Sequence, residues 1–392
     1  MQNKQNRRNF IHKGLLFTTG YMMAGPSISS ALGNFLPDSG GIKYVTVASQ
    51  KGRFLGWPAN NGLWKWEDGR EILVGFTNGN FEEQEGHNIG KEQLTNLARS
   101  TDGGKTWKRE DPENFVGDDG RVIPSPGNID FGHPDFALRV SAKGYHGSKD
   151  KKGQFFISFN RGKKWEGPYR FNNLNNDKNL EGLEITSRTN YRVTGENSIQ
   201  IFMSAGKSDI EFADRSDKPF IAQSTDGGKT FQFAGWVVPW TDPYRAVMPS
   251  AVQTGDGKLL MALRRRNPRS EEQSCWIDAF VSNDSGHSWS FLSKISDTGV
   301  NNGNPPALAV LNDGRLACCF ANRSSRKIFI RISENNGASW DKEVMVRDNP
   351  YTYDMGYPRL LQNNEGDLVA LYYIATEECP HSYIEAAIIT GV

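Results

Sequence analysis

One eight-residue pattern recurs five times, and it limits what this chain can fold into more than any other feature. Ser100-Thr-Asp-Gly-Gly-Lys-Thr-Trp107 returns as Ser158-Phe-Asn-Arg-Gly-Lys-Lys-Trp165, Ser224-Thr-Asp-Gly-Gly-Lys-Thr-Phe231, Ser282-Asn-Asp-Ser-Gly-His-Ser-Trp289 and Ser333-Glu-Asn-Asn-Gly-Ala-Ser-Trp340. The copies lie 58, 66, 58 and 51 residues apart, so each unit has room for four short strands and their loops. The pattern describes a hairpin turn: Asp or Asn bonds the backbone two residues on, Gly accepts a positive φ, and the closing aromatic packs under a strand. A second signal accompanies it, an acidic-Gly turn before an apolar run, at Asp68-Gly69, Asp256-Gly257, Asp313-Gly314 and Glu365-Gly366. These turns predict successive inner and second strands. No segment keeps a 3.6-residue apolar period over three turns, and the expected class is all-β.

Composition narrows the partners. Hydrophobic residues make up 37% and aromatics 11% of 392 residues, too many for a solvated disordered chain. With 46 basic against 45 acidic residues there is no cationic face of the kind that neutralises phosphates, so a nucleic-acid partner is not expected. The first 31 residues carry Lys4, Arg7, Arg8 and Lys13 and no acid, then an apolar stretch ending in Ser29-Ser30-Ala31. That is the layout of an export signal, and Arg7-Arg8-Asn9-Phe10-Ile11-His12-Lys13 is similar to a twin-arginine address. A membrane anchor is the alternative, weakened by Gly20, Gly25 and Pro26 in a stretch barely long enough to span. Removing the leader takes four bases from the 46 and leaves a mildly acidic exported protein without stable membrane insertion. Residues 32–42 read as a short linker and 43–392 as one domain. The four cysteines, Cys275, Cys318, Cys319 and Cys379, are too few for a disulfide framework, and none has zinc-ligand spacing. Cys318 and Cys319 face opposite sides of a strand, which puts one of them in the core. No metal or cofactor is expected.

The five repeats resemble the Asp-boxes of the sialidase superfamily, over roughly residues 43–392. The resemblance implies a six-bladed β-propeller of four-stranded antiparallel blades, with the boxes as structural outer turns. Five boxes account for five blades; Met355–Val392 supplies most of the sixth, and Lys43–Ala48 closes the ring as its outer strand.

Propeller ligands bind where loops converge at one end of the axis. The expected starts of the inner strands share a proline: Trp57-Pro58, His133-Pro134-Asp135, Met248-Pro249, Asn304-Pro305 and Tyr357-Pro358-Arg359, with Arg188-Thr-Asn-Tyr191 as the counterpart in the third unit. The segment Thr77 to Leu94, with Glu82, Glu83, Glu85, His87 and Asn88, reads as an unusually long polar loop. Equivalent positions offer Arg264, Arg265 and Arg266, of which Arg264 and Arg266 share a face, and Arg323 with Arg326. Clustered arginines suggest a carboxylate-bearing sugar, since a guanidinium grips a carboxylate through two parallel bonds. Gly356-Tyr357-Pro-Arg-Leu-Leu-Gln is similar to the family segment bearing the nucleophilic tyrosine, which implies that role for Tyr357. The run ending in Arg264 resembles the strand that carries a carboxylate-binding arginine.

The sequence departs from the family at two places: Gly56-Trp57 stands where an Arg-Ile precedes the first proline, and Met248 where a glutamate would partner the tyrosine. Candidate acid/base groups are then His87, Glu85 and Asp135, with Tyr357 as the fourth catalytic candidate. Candidate substrate contacts are Trp57, His133, Arg188, Tyr191, Arg264, Arg266, Asn304, Arg323 and Arg359, with Trp57 suited to stacking on a sugar. The expected activity is sialidase-like hydrolysis releasing a terminal, acidic sugar from a glycan. The alternatives are a propeller polysaccharide lyase acting beside a uronate and a non-catalytic glycan-binding propeller.

Overall fold

The structure is a computed structural model describing residues 41–111, 122–142, 152–186, 188–207 and 216–392. The export leader and nearly all of the linker fall outside the described residues. Six small sheets form a ring. In the first blade Arg53–Gly56 and Leu63–Trp66 both pair with Glu71–Phe81, followed by Ile89–Ser100 and Lys108–Glu110. The second has Ala137–Ser141, Gln154–Ser158 and Glu166–Arg170, with Ile123–Pro124 parallel to the last. In the third, Leu183–Thr186 and Tyr191–Gly195 flank Ser198–Lys207, ahead of Lys218–Ser224 and Gln232–Trp236. The fourth runs Arg245–Gln253, Leu259–Arg266, Ser274–Ser282, Ser290–Val300, and the fifth Ala307–Val310, Leu316–Asn322, Lys327–Ser333, Lys342–Arg347. Gly356–Gln362, Leu368–Ile374 and Tyr383–Ile389 make the sixth, completed by Ile42–Ala48 from the other end of the chain. Ile42 pairs with Ile389 and Ala48 with Ile384, so the ring closes through main-chain hydrogen bonds, as the sequence predicts.

Second strands are covered on both faces by neighbouring blades, which is why Leu259–Arg266 and Leu368–Ile374 are buried at every position. The same sandwich explains the cysteine pair. Cys318 joins Leu260 and Ala262 in one core while Cys319 joins Leu368 and Ala370 in the next, so both are core residues and not one alone. All four cysteines are free thiols.

The repeats form the expected turns. Asp102 Oδ1 accepts from the Lys105 and Thr106 amides at 3.0 and 2.9 Å, Oδ2 from Thr106 Oγ1 at 2.6 Å, and Ser100 Oγ from the Gly104 amide at 2.8 Å. Asp226 and Asp284 repeat these bonds to Thr230 and Ser288. Burial pushes the Asp102 carboxyl up, but these hydrogen bonds outweigh it and hold it below the usual carboxylate range. Each turn leans on the preceding blade. At Gly162, with φ 76°, a Cβ would lie 2.5 Å from Leu73 Cδ2, so glycine is required both by the backbone and by the close approach.

Two expectations are corrected. The polar loop after Thr77 is short, because the hairpin continues through Asn78 opposite Leu94 to Phe81 opposite Ile89, leaving residues 82–88 as the connection. The second difference concerns the second blade. In the fourth, Ser282 of the repeat pairs with Leu259, far from the Arg245–Arg266 pair where the inner strand begins. In the second blade Ala137 at the start of its first strand pairs with Ser158 of the repeat, so this strand occupies a second-strand position and begins at the box end. Its axial edge is covered by side chains of neighbouring blades: Trp64 Nε1 donates to the Leu138 carbonyl, the Leu138 amide to Tyr191 Oη, and the Val140 amide to Thr189 Oγ1.

Candidate functional site

At the end of the axis away from the boxes, three inner strands carry the same local irregularity. Trp57, Met248 and Tyr357 each precede a proline and each adopt a left-handed backbone, with φ 55°, 56° and 49°. The register slips there between Val247 and Ser250 and between Gly356 and Arg359. A proline cannot donate to the ladder, and the extra residue forms a bulge that re-aims a side chain. Non-glycine residues in this region are uncommon and cluster at functional sites. All three side chains meet in one buried cluster.

Tyr357 is held from both sides. Asn304, fully buried, accepts from the Tyr357 amide at 2.6 Å and donates to the Met355 carbonyl at 3.0 Å. Gly356 between them leaves no space for a side chain, since a Cβ would come 2.4 Å from Asn304 Oδ1. The Tyr357 hydroxyl lies 3.2 Å from Arg264 Nη1, whose other nitrogen reaches Asn302 Oδ1 at 2.5 Å. Arg323 sits over the Tyr357 ring, 5.4 Å from its centre. Met248 sulfur approaches Arg264 at 3.7 Å, and among the described residues no carboxylate hydrogen-bonds the Tyr357 hydroxyl.

Opposite Tyr357 stands His87, its ring centre 6.3 Å from that of the tyrosine and 4.9 Å from Trp57. His87 Nδ1 is 2.6 Å from Asp354 Oδ1. Asp354 is completely buried and also receives the Tyr373 hydroxyl, the Asn88 amide at 3.3 Å and Arg323 Nη2 at 3.4 Å. Burial pushes this carboxyl up; the His87 bond and charge, with Arg323 and Tyr373, overcome that and hold it below the usual range. An ionised carboxylate only accepts, so Nδ1 carries a proton and Nε2 is the nitrogen left for substrate. Burial and the Asp354 charge push the Tyr373 phenol well above its ordinary value, so it serves as a donor.

The structure brings His87, Trp57, Arg264, Asn304, Arg323 and Tyr357 together and sets other candidates elsewhere. Trp57 is 3% exposed, its ring packed against Phe54 and His87, and offers no open face for stacking. Glu85 is exposed on the 82–88 connection. Arg266 lies further along the Arg264 strand opposite Arg245; burial, then Arg245 and Arg264, push its guanidinium down to about 10. His133 and Asp135 are not brought to Tyr357, because the strand after them begins at the box end. There His133 Nδ1 accepts from the Asp135 amide, and the Asp135 carboxylate pairs with Arg161, which also binds Glu67 and Glu71. Tyr191 caps the second blade, burial pushing its phenol up to about 12.

Arg188 and Arg359 lie on the axis with their guanidinium groups spent on main-chain carbonyls. Arg359 donates to Pro58 at 3.3 Å and to Ala59 and Thr189 at 2.6 Å each; Arg188 reaches Pro249 at 3.3 Å and Pro306 at 2.9 Å. Between them they tie five blades. The sequence reading missed Asp354, Tyr373 and Asn302, although Asp354 directly follows a Tyr-x-Tyr alternation and stands two residues before Gly356. Among the described residues no group of three His, Cys, Asp or Glu has metal-site geometry, and no helix is long and apolar enough to cross a membrane.

Fold and site together define an Asp-box propeller with a cationic, tyrosine-bearing centre. A BNR repeat-like domain model matches residues 136–370 and a BNR/Asp-box repeat model residues 98–109; the chain belongs to the BNR repeat-like family. No curated protein sequence matches it. Among solved structures it is similar to a protein of unknown function from Dyadobacter fermentans, with 18% identity, TM-score 0.65, and 89% of this chain and 99% of that one covered. It is also similar to the family-93 α-L-arabinofuranosidase of Fusarium graminearum, bound to arabinobiose, with 15% identity, TM-score 0.56, and 88% and 96% covered. A Hadza microbial sialidase matches at 13% identity and TM-score 0.55, over 85% of this chain and 65% of that one. At these identities the likeness is one of fold.

Proposed function

We propose that this protein is an exported, sialidase-like glycoside hydrolase that releases a terminal acidic sugar from a glycan. The observation that carries this reading is the convergence of Arg264 and Arg323 on Tyr357 opposite the His87–Asp354 pair. The Arg264 guanidinium suits a sugar carboxylate, Arg323, held by Asp354, Tyr373 and the Met355 and Asn302 carbonyls, adds its positive charge beneath it, and the paired imidazole suits proton transfer to the leaving oxygen. The names of the arabinofuranosidase and sialidase neighbours favour glycosidic-bond cleavage over other chemistries.

In the first half-reaction Tyr357 Oη bonds to the anomeric carbon as its proton passes to water, while His87, protonated on Nε2, gives that proton to the departing oxygen. In the second half, water attacks the anomeric carbon, His87 takes its proton, and the released phenolate regains one from solvent. Asp354 keeps Nε2 aimed at the reacting oxygen throughout. Because Met248 and Gly56-Trp57 replace the family's acid and arginine, ordinary sialosides are expected to be poor substrates.

A lyase reading is favoured by one observation, that the Tyr357 hydroxyl is partnered by a guanidinium and not by a carboxylate. There His87 would take the proton beside a uronate carboxylate and Tyr357 would protonate the departing oxygen. The deciding experiment incubates residues 32–392 with sialylated, uronate-containing and rhamnose-capped glycans. A saturated reducing sugar supports the hydrolase, and an ultraviolet-absorbing unsaturated product the lyase. Absence of either across the panel rejects both and leaves the non-catalytic binder. Tyr357→Phe should lower any observed rate by about 10²–10⁴. Export is tested by N-terminal sequencing, which should find cleavage near Ala31.

A further inference from the structure

The segment that delivers Asp354 to His87 also carries two exposed aromatics. Along Tyr351-Thr352-Tyr353-Asp354 the side chains alternate outward and inward: Tyr351 is 54% exposed, Tyr353 45%, and Asp354 not at all. Tyr353 is not free to swing. Its hydroxyl donates to the Gly86 carbonyl at 2.5 Å, and Gly86 directly precedes His87. One ring is therefore fixed by covalent neighbours to both halves of the His87–Asp354 pair. Tyr351 is anchored through its amide to the Ala375 carbonyl at 2.7 Å, just past the Leu368–Ile374 strand.

Single exposed aromatics are ordinary. What distinguishes this pair is that the polar tip of Tyr353 is already satisfied, so the ring is held with little entropy left to lose and an uncharged aromatic surface towards solvent. We propose that Tyr353, with Tyr351 beside it, is the binding platform for the neutral sugar on the leaving-group side of the scissile bond. The proposal rests on the hydrolase reading for its direction. If His87 Nε2 protonates the departing oxygen, the sugar attached to that oxygen has to lie on the His87 side of the centre, where Tyr353 stands. The protein then recognises an acidic terminal sugar by charge and the neutral chain behind it by its apolar C–H face.

The test has two arms that fail separately. In the binding arm, lactose, cellobiose and arabinobiose are titrated into wild type, Tyr353→Phe, Tyr353→Ala and the Tyr351→Ala/Tyr353→Ala double variant, followed by NMR. At least one disaccharide should bind wild type, at least fivefold more weakly to Tyr353→Ala, with most affinity kept by Tyr353→Phe, which retains the ring. Binding of none to wild type, or equal binding to the double variant, overturns the platform. In the kinetic arm, an accepted terminal sugar is presented on lactose and as its methyl glycoside. Tyr353→Ala should lower the ratio of the two kcat/KM values about tenfold, and an unchanged ratio also overturns the proposal. Turnover of the methyl glycoside alone sustains the hydrolase reading where the platform fails; disaccharide binding without any turnover sustains the platform where the hydrolase reading fails.

Discussion

Arg359→Met tests whether an arginine in the family's tyrosine segment serves the substrate or the fold. The guanidinium is buried and donates to three carbonyls, two of them at 2.6 Å, on the first and third blades. Burial, then the nearby Arg188, pushes it well below its ordinary basicity, so the fold bears a desolvation cost to keep it there. Methionine keeps the unbranched stem as far as the Nε position and removes every donor. Each buried carbonyl left without a partner costs about 1–3 kcal/mol, and the two short bonds set the scale; removing a buried charge returns part of that. The net loss should be about 2–5 kcal/mol, read as a lower denaturant midpoint at unchanged m-value. Arg359→Lys keeps a charge but lacks the planar fork that spans three acceptors, and should recover less than half. If Arg359→Met unfolds at the wild-type midpoint yet binds acidic glycosides less well, the axial-staple argument is wrong and Arg359 belongs with the substrate.

Arg264→Ala should act the other way, weakening binding of an accepted acidic glycan by roughly 1.5–3 kcal/mol with only a small change in midpoint; unchanged affinity in calorimetry would remove it from the site. Asp102→Ala should lower stability by about 1 kcal/mol, for lost turn bonds, and leave kcat/KM of the folded protein as it was. Asp354 is held below the ordinary carboxylate range, so its contribution to stability is present above roughly pH 4 and is lost as pH falls through its lowered value. Asp354→Asn should therefore be destabilised at pH 7 and show a shallower loss on acidification below roughly pH 4, in midpoints measured as the pH is lowered.

The repeats by themselves determined the architecture. A turn whose Asp, Gly and aromatic satisfy one another locally is legible from eight residues, and five such turns at blade spacing leave few folds open. The count of boxes also left Lys43–Ala48 as the closing strand, and the Pro-marked strand entries led to Trp57, Met248 and Tyr357. The polar groups were decided only by the tertiary structure. Arg264 and Arg359 look alike in sequence, each on a strand of an inner pair, yet one meets Tyr357 and the other is saturated by backbone. The carbonyls that saturate it belong to Pro58, 301 residues away, and Thr189, 170 residues away. Asp135 stands in the same Pro-marked context as Tyr357, but among the described residues its blade has no inner strand to carry it to the other end. Asp354 has no motif and becomes visible only when His87, some 267 residues earlier in the chain, reaches it across the closure of the ring. Periodicity records which side of a strand a residue faces and how its own turn is bonded. The role of a charged side chain is set by which distant acceptors complete its hydrogen bonds, and that is fixed by how the blades come together.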